Sequence, residues 1–576
     1  MRKKKILSLL LVILLFAVGT AAAAGSGGQV SEITVAIHTD ENTLTPFTFV
    51  RGYPGLEVVR LIFDRLFILD EQNQPLPWMV DVYEVNAEYT EYTMTLAPGQ
   101  FWHDGNPVTA TDVAFSFTYP LTQTQTGWRR IAEQVEAVDV VDELSFIIRL
   151  KAGDPEFLAQ SLTSMLIIPK HIYENVEDAS RLKETVGSGL FRLVERAEGR
   201  HYILEAVEGY FRGDARVRRI VMPIMTDTTT IFQALKAGSI HATTAHLSPE
   251  LVTTFDGQRD ITVVTGPGLT TTLLQINSEV YPLSLPGMRN ALVLALDLEE
   301  LVEVVLLGLG DRGSLGFFHP AGAFGKEALI PERDVQKANE LLDQLGFAWD
   351  GAYRVKDNGQ PLRFELLVSA VSPLRIRTAE LVAEQVKEVG IDLSIVSLEP
   401  GTLDERVWPG FDVTQGRNYD LSIWGWSAPV QLLPDALVQL AASDSALGRL
   451  NIGGFRSSAF DLLASRYRGE VDLDARRALR DQMQELFAAE VPIIPLYYPQ
   501  VIMAYRADVY DGWVLQQGSG IINKMSFLPR FSQEPGAQAP QQSAAERNMM
   551  PFYLLFALAL LVGVVVVKGR KRRHGS

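Results

Sequence analysis

The 576-residue chain contains no cysteine. Disulfides, thiolate metal sites and cysteine nucleophiles are therefore excluded together. Histidine is scarce, with eight residues, and no H-E-x-x-H pair occurs. His241 and His246 are a poor spacing apart for one helical face and read as surface residues rather than metal ligands. Neither a G-x-S-x-G nucleophile turn nor a Walker loop is present. Gly308-x-Gly310-x-x-Gly313 fits the dinucleotide fingerprint by letter, but it follows a helical pattern where the fingerprint needs a strand. No catalytic constellation, resident metal or cofactor is expected. Positive charge is also short, with 52 Lys and Arg against 69 Asp and Glu. The two ends hold nine of those cations and none of the anions, so the segment between them carries a formal net charge of −26. That surplus argues against nucleic acid or an anionic membrane surface as a partner.

Charge is missing altogether from two stretches, 6–24 and 549–567. Residues 1–24 start with Arg2-Lys3-Lys4-Lys5, run apolar from Ile6 to Val18 and finish in four alanines. This is the pattern of a secretory signal peptide cleaved after Ala24, with an uncleaved anchor as the alternative. Residues 549–567 are uncharged and are followed by Lys568, Arg570, Lys571, Arg572 and Arg573. An apolar run close to the ~20 residues of a bilayer span, with a basic flank, predicts a single transmembrane helix and a cytoplasmic tail, 568–576. A buried core helix is the alternative. Residues 532–548, rich in Gln, Ala and Pro, read as a disordered stalk.

Between these ends, strand and helix patterns alternate, the grammar of an α/β protein. Residues 33–38 and 89–96 read as strands, 55–67 as a helix, and 288–307 as one long apolar helix stopped near Gly308. Residues 233–238 end a short helix at a glycine. Residues 372–398 are the clearest unit. Ser372 is placed to cap, Pro373 to start the helix and Gly390 to stop it before the strand IDLSIV. In residues 96–119, LAPGQFWHDGNPVTATDVAFSFTY, two turn pairs flank a short aromatic segment. Thr109 with Asp112 then forms a capping box.

The literal residues of that last segment, F-x-H-D-G-x-P-V-T-A-x-D-V-x-F-S, closely resemble the signature of the extracellular solute-binding proteins that feed peptide and nickel ABC importers. Further blocks resemble the same family in the same order: TLTPF (43–47), LIFDRLFILDEQNQPLPWMVDVYEV (61–85), GSGLFRLVE (187–195), QALKAGSIH (233–241), MRNALVLALDLEELVEVVLLGLG (288–310), NYDLSIWGW (418–426) and VPIIPLYY (491–498). The resemblance spans about residues 31–531. It implies a bilobal periplasmic-binding-protein-like α/β fold of type II. Lobe one would combine 31–70, 187–275 and 505–531, the inserted domain 71–186, and lobe two 276–504. It also implies a monomer that captures a peptide or other small solute between its lobes and passes it to ABC permease subunits. Many such proteins are tethered by a lipidated cysteine. This chain has none, and its C-terminal helix would take over that role.

Trp424 and Trp426 lie two residues apart on a strand and so face one side. Core packing and an aromatic ligand wall both fit them, and the resemblance puts the tryptophan of the Gly-Trp pair, Trp426, in the cleft. It also suggests Trp128 from the inserted domain and Asn277 at the lobe hinge; a turn role is the plain alternative for Asn277. Peptide-binding members usually carry an aspartate three residues after that tryptophan. Here the run is Trp426-Ser427-Ala428-Pro429. Asp435 is a candidate replacement, with a helix start as its alternative. The carboxylate's absence leaves oligosaccharides and other solutes open beside peptides. Two other functions were weighed, a ligand-sensing ectodomain with a signalling partner and an exported hydrolase.

Overall fold

The computed structural model describes residues 29–40, 43–48, 55–123, 128–356 and 358–529. The signal peptide, the stalk and the apolar run 549–567 lie outside them. Among the described residues no helix is long and apolar enough to cross a membrane.

Three sheets organise the chain. The first runs in the order Ala242–Thr243, Ile33–Ala36, Arg219–Pro223, His201–Ala206, Phe191–Ala197. Ile33–Ala36 is parallel to both neighbours, and the remaining pairs are antiparallel. The helix Gly55–Ile62 packs beside it and ends short of the expected residue 67. Tertiary contacts claim the next residues: Asp64 meets Lys524, and Arg65 donates to Thr163 O at 2.6 Å. Gly187 and Gly189 close this region. A Cβ would lie 2.0 Å from Ile62 O at Gly187 and 2.4 Å from Leu61 O at Gly189, so only glycine fits.

The second sheet is four-stranded and antiparallel, in the order Val80–Val85, Glu91–Leu96, Ser145–Leu150, Val135–Val140. Tyr92, Met94 and Leu96 alternate inward, as the period-2 pattern requires. Its core is continuous with that of the first sheet. The helix Ala110–Thr118 covers it. Its capping box forms: the Asp112 carboxylate accepts from Thr109 N–H at 2.9 Å.

The third sheet orders Gly310–Arg312, Ile493–Pro499, Thr271–Ile276, Leu421–Trp426, Arg363–Ser369, Asp392–Leu398. Residues 271–276 are a central strand of this sheet. The unit at 372–398 forms as expected. Ser372 Oγ accepts from Arg375 N–H, the helix runs Pro373–Lys387, Gly390 takes φ 82°, and Asp392–Leu398 pairs parallel with Arg363–Ser369. The single helix expected over 288–307 is instead two, Pro286–Ala295 and Leu298–Leu306. Asp297 breaks it by capping the second, its carboxylate accepting from Glu300 N–H at 2.9 Å. Gly310 and Gly313 belong to a strand edge and its exit rather than to a phosphate loop. Separate apolar cores cover the two faces of this sheet.

Ile261–Gly266 and Val501–Arg506 pair antiparallel and lead, one out and one back, between the first and third sheets. At Gly268 the two crossing segments approach so closely that a Cβ would sit 1.7 Å from Pro499 O.

Candidate functional site

A cavity of about 290 Å³ opens where all three parts of the body meet. Leu56, Glu57 and Arg60 come from the helix Gly55–Ile62, and Leu69 and Asn73–Pro75 follow it. The stretch following the four-stranded sheet supplies Pro155, Glu156 and Ala159 among others. Segments around the third sheet supply Phe324, Ala428, Pro429, Leu432–Pro434, Arg477 and Arg480, and the stretch near the C-terminal end of the described residues Gln516 and Ser519. Aliphatic, proline and phenylalanine side chains form about half of the lining, and carboxylates, guanidiniums, amides and hydroxyls the rest. A mostly apolar pocket with a few placed charges is the usual form of a small-solute site.

Glu156 is the most constrained of those charges. Its Oε2 accepts from Tyr467 O–H at 2.6 Å and from Arg476 Nε at 3.0 Å, and its Oε1 from Arg480 at 3.0 Å. Asp154 lies 3.4 Å from Arg476. Burial pushes the carboxyls of Glu156 and Asp154 above the ordinary carboxylate range, while the Arg476 guanidinium pulls the other way. Arg480 lies over the Phe324 ring at 4.3 Å. The sequence reading singled out none of these residues. They are ordinary letters in unrelated segments, and only the fold collects them.

The residues it did single out fall in several places. Trp424 and Trp426 share one face of Leu421–Trp426, as their spacing requires, and are packed in a lobe-two core at 9% and 7% exposure. Trp408 meets Trp426 edge-on at 5.7 Å. The indole N–H groups of Trp408, Trp424 and Trp426 have no acceptor among the described residues. Neither Trp424 nor Trp426 lines the cavity, but Ala428 and Pro429, just beyond them, do. Gly425 between them is needed on the other face, where a Cβ would lie 2.7 Å from the Arg375 guanidinium.

Trp128 precedes the helix Arg129–Gln134, donates to Ser164 O at 3.2 Å and packs edge-on against Phe47. It stands behind the cavity wall rather than in it. Asn277 follows Thr271–Ile276 at the end opposite Thr271, which pairs with Trp426. It donates to Tyr419 O at 2.7 Å and accepts from Glu279 N–H at 3.1 Å, the bonding of a turn residue. Asp435 sits at the N-terminus of Ala436–Ala441, accepts from Gln439 at 2.8 Å and lies 3.8 Å from Arg130 of the inserted domain. Its neighbours Leu433 and Pro434 line the cavity.

The HDG segment is scaffold. His103 is locked between two backbone groups: Gly187 N–H donates to Nδ1 at 3.3 Å, and Nε2–H donates to Gly189 O at 2.9 Å. That pattern fixes a neutral ring, and burial lowers its pKa to about 4. Asp104 accepts from Asn106 N–H and pairs with His171 at 2.6 Å. Among the described residues no group of three or more His, Asp or Glu side chains is placed to hold a metal ion.

Known proteins share this arrangement. The oligopeptide-binding protein AppA of Bacillus subtilis is 25% identical over 526 residues, covering 87% of this chain and 95% of its own. The nickel-binding periplasmic protein of Escherichia coli is 22% identical over 492 residues, 83% of this chain and 91% of its own. Among solved structures, the ABC transporter substrate binding protein CtaP of Listeria monocytogenes superposes with a TM-score of 0.77 at 21% identity, covering 87% of this chain and 100% of its own. That likeness establishes the mixed α/β periplasmic-binding-protein-like fold. Residues 74–447 match the middle portion of a family of known role, and the chain belongs to the bacterial extracellular solute-binding proteins, family 5, the substrate-binding components of peptide and nickel ABC importers.

Proposed function

We propose that this protein is a membrane-anchored ligand trap that captures a short peptide or a similarly sized amphipathic solute between its lobes and delivers it to an ABC permease. The observation that carries the reading is the cavity, whose walls come from lobe one, the inserted domain and lobe two at once. A ligand held there favours the closed arrangement over an open one, which is how a hinged binding protein signals occupancy. Leucine, proline and phenylalanine side chains suit an apolar ligand surface, and Glu57, Arg60 and Arg480 supply charges of both signs for its termini or polar groups. No carboxylate follows Trp426 at the position peptide-binding members use, so recognition of a ligand ammonium would fall to Glu57, since both oxygens of Glu156 are engaged by Tyr467, Arg476 and Arg480. Trp426 borders the site through Ala428 and Pro429 rather than forming its wall.

The test is a thermal-shift screen of residues 25–531 against peptides, oligosaccharides and metal ions. A ligand at a hundred times its Kd adds about 2.7 kcal/mol. For a body of some 500 residues that raises Tm by roughly 2–3 °C. A shift given by peptides alone fixes the ligand class. No shift with any class, or turnover of a compound that binds, refutes the reading. Anchoring rests on residues 549–567. The full chain is expected in the membrane fraction and a chain ending at 548 in the soluble fraction, and an unchanged distribution would refute the anchor.

A further inference from the structure

The two halves of the body are joined covalently through the segments 266–271 and 499–501. Side chains join them a second time, on the far side of the cavity. Glu156 reaches from the inserted domain to three donors of lobe two: Tyr467 on the helix Ser458–Gly469, and Arg476 and Arg480 on the helix Leu473–Glu490. The two arginines are four residues apart and so present both guanidiniums on one helix face.

We propose that Glu156 determines closure: its carboxylate draws Leu473–Glu490 onto the inserted domain and holds the lobes shut over the cavity that Glu156 and Arg480 themselves line. The proposal rests on the ligand-trap reading above. Each side of the contact is held ready by its own half. On the inserted domain, Asp154 N–H donates to Tyr89 O at 3.1 Å and Tyr92 O–H donates to Asp154 O at 2.6 Å, which pins the loop before Glu156 to the sheet. On lobe two, Arg476 donates to Glu470 O at 2.9 Å and lies 4.5 Å over the Tyr467 ring, while Arg480 lies over Phe324. The side chains of Glu156, Arg476 and Arg480 are all 8–9% exposed here. Opening the lobes would return each of them to water, so the contact is separable in a way that a core is not. In the closed form, removing the carboxylate leaves Arg480 buried without its counter-ion and Arg476 with only the more distant Asp154, which is worse than the open, solvated state. Asp154 adds a second tie to Arg476 at 3.4 Å, and a further charged bridge between the same two parts, Arg130–Asp435, is longer and more exposed and so weaker. Opposite them Gly153 faces Val471, where a Cβ would sit 3.1 Å from the valine side chain, so the surfaces are in close contact beside the latch.

The absence of native cysteine allows a direct test. Spin labels at Val141→Cys on the inserted domain and Leu462→Cys on lobe two, both exposed positions, report the separation of the halves by pulsed electron resonance without any ligand. In the otherwise native chain a short-distance population beside a long-distance one is expected, so that a ligand can still shift the balance. Glu156→Gln should raise the ratio of long- to short-distance populations about 10- to 100-fold, and weaken a ligand found in the screen by the closed-state population lost. Arg480→Gln should do the same from the other side, and Glu156→Asp should partly restore the short distance. Circular dichroism establishes that each variant is folded, and Arg480→Gln carries the test if Glu156→Gln is not. Distance distributions unaltered in both variants, or a native chain with no short-distance population, would overturn the proposal. A failed ligand screen with the expected distance shifts would instead remove the ligand-trap reading and leave the latch.

Discussion

Acidification should destabilise this protein through one histidine, and the size of the effect follows from its bonds. His103 is neutral in the folded chain because Gly187 N–H points at Nδ1. A proton on that nitrogen would face another donor across 3.3 Å, in a site closed to solvent by the Gly187–Gly189 loop. The folded pKa is lowered to about 4 from 6.5, first by burial. A histidine depressed on folding binds more protons when unfolded. Its contribution is therefore fully present above pH 6.5 and lost as pH falls from there towards 4. Between pH 7 and pH 5 the loss is about 2 kcal/mol, or roughly 2 °C in Tm for a body of this size. His38 and His241 are also lowered by burial and add to the same trend, so the assay is a difference. Thermal unfolding of residues 25–531 at pH 7 and pH 5 is compared with that of His103→Gln, whose side-chain amide can still donate to Gly189 O. The variant is expected to be less stable at pH 7 and to lose about 2 kcal/mol less on going to pH 5. An unchanged pH dependence in His103→Gln would refute the assignment of a buried neutral ring.

Three further outcomes are expected. Asp64 is wholly buried and bonded to Trp78 Nε1, Tyr210 O–H and Lys524. Asp64→Asn should cost about 3 kcal/mol by stranding the Lys524 ammonium, against about 1 kcal/mol for Trp78→Phe if packing is kept, and equal losses by calorimetry would contradict the charge argument. Pro429→Trp, at an exposed position on the cavity wall, should abolish the ligand-induced thermal shift while moving the ligand-free Tm by less than about 1 °C, since surface changes fall within ~0.5 kcal/mol. Gly268→Ala should destabilise by at least ~1 kcal/mol and broaden the interlobe distance distribution, because the new methyl must displace the Pro499 carbonyl; a native-like distribution would show that the crossing yields without cost.

Much of the local structure could be read from short-range chemistry. Ser372, Pro373 and Gly390 bound a helix because a cap, a first-turn proline and a left-handed stop act within one turn. The capping box of Thr109 and Asp112 formed for the same reason. The same grammar, applied more closely, would have split the stretch 288–307, since Asp297 with Glu300 three residues on is another start signal inside an apolar run. The helix after Gly55 could not be bounded in this way. Its end is decided by Asp64 and Arg65, whose partners Lys524 and Thr163 lie far along the chain.

The site divides along the same line. Sequence alone determined the family and the α/β class, placed Trp424 and Trp426 on one strand face, and showed that the expected carboxylate is missing after Trp426. These are properties of letters and of the two-residue strand period. Only the tertiary structure decided what those tryptophans touch, that Asn277 bonds Tyr419 O, and that the Glu156 carboxylate meets donors some 320 positions later. A hydrogen bond or ion pair depends on ångström separations that chain distance does not encode. A pocket walled by segments far apart in the chain therefore leaves no pattern in any one of them.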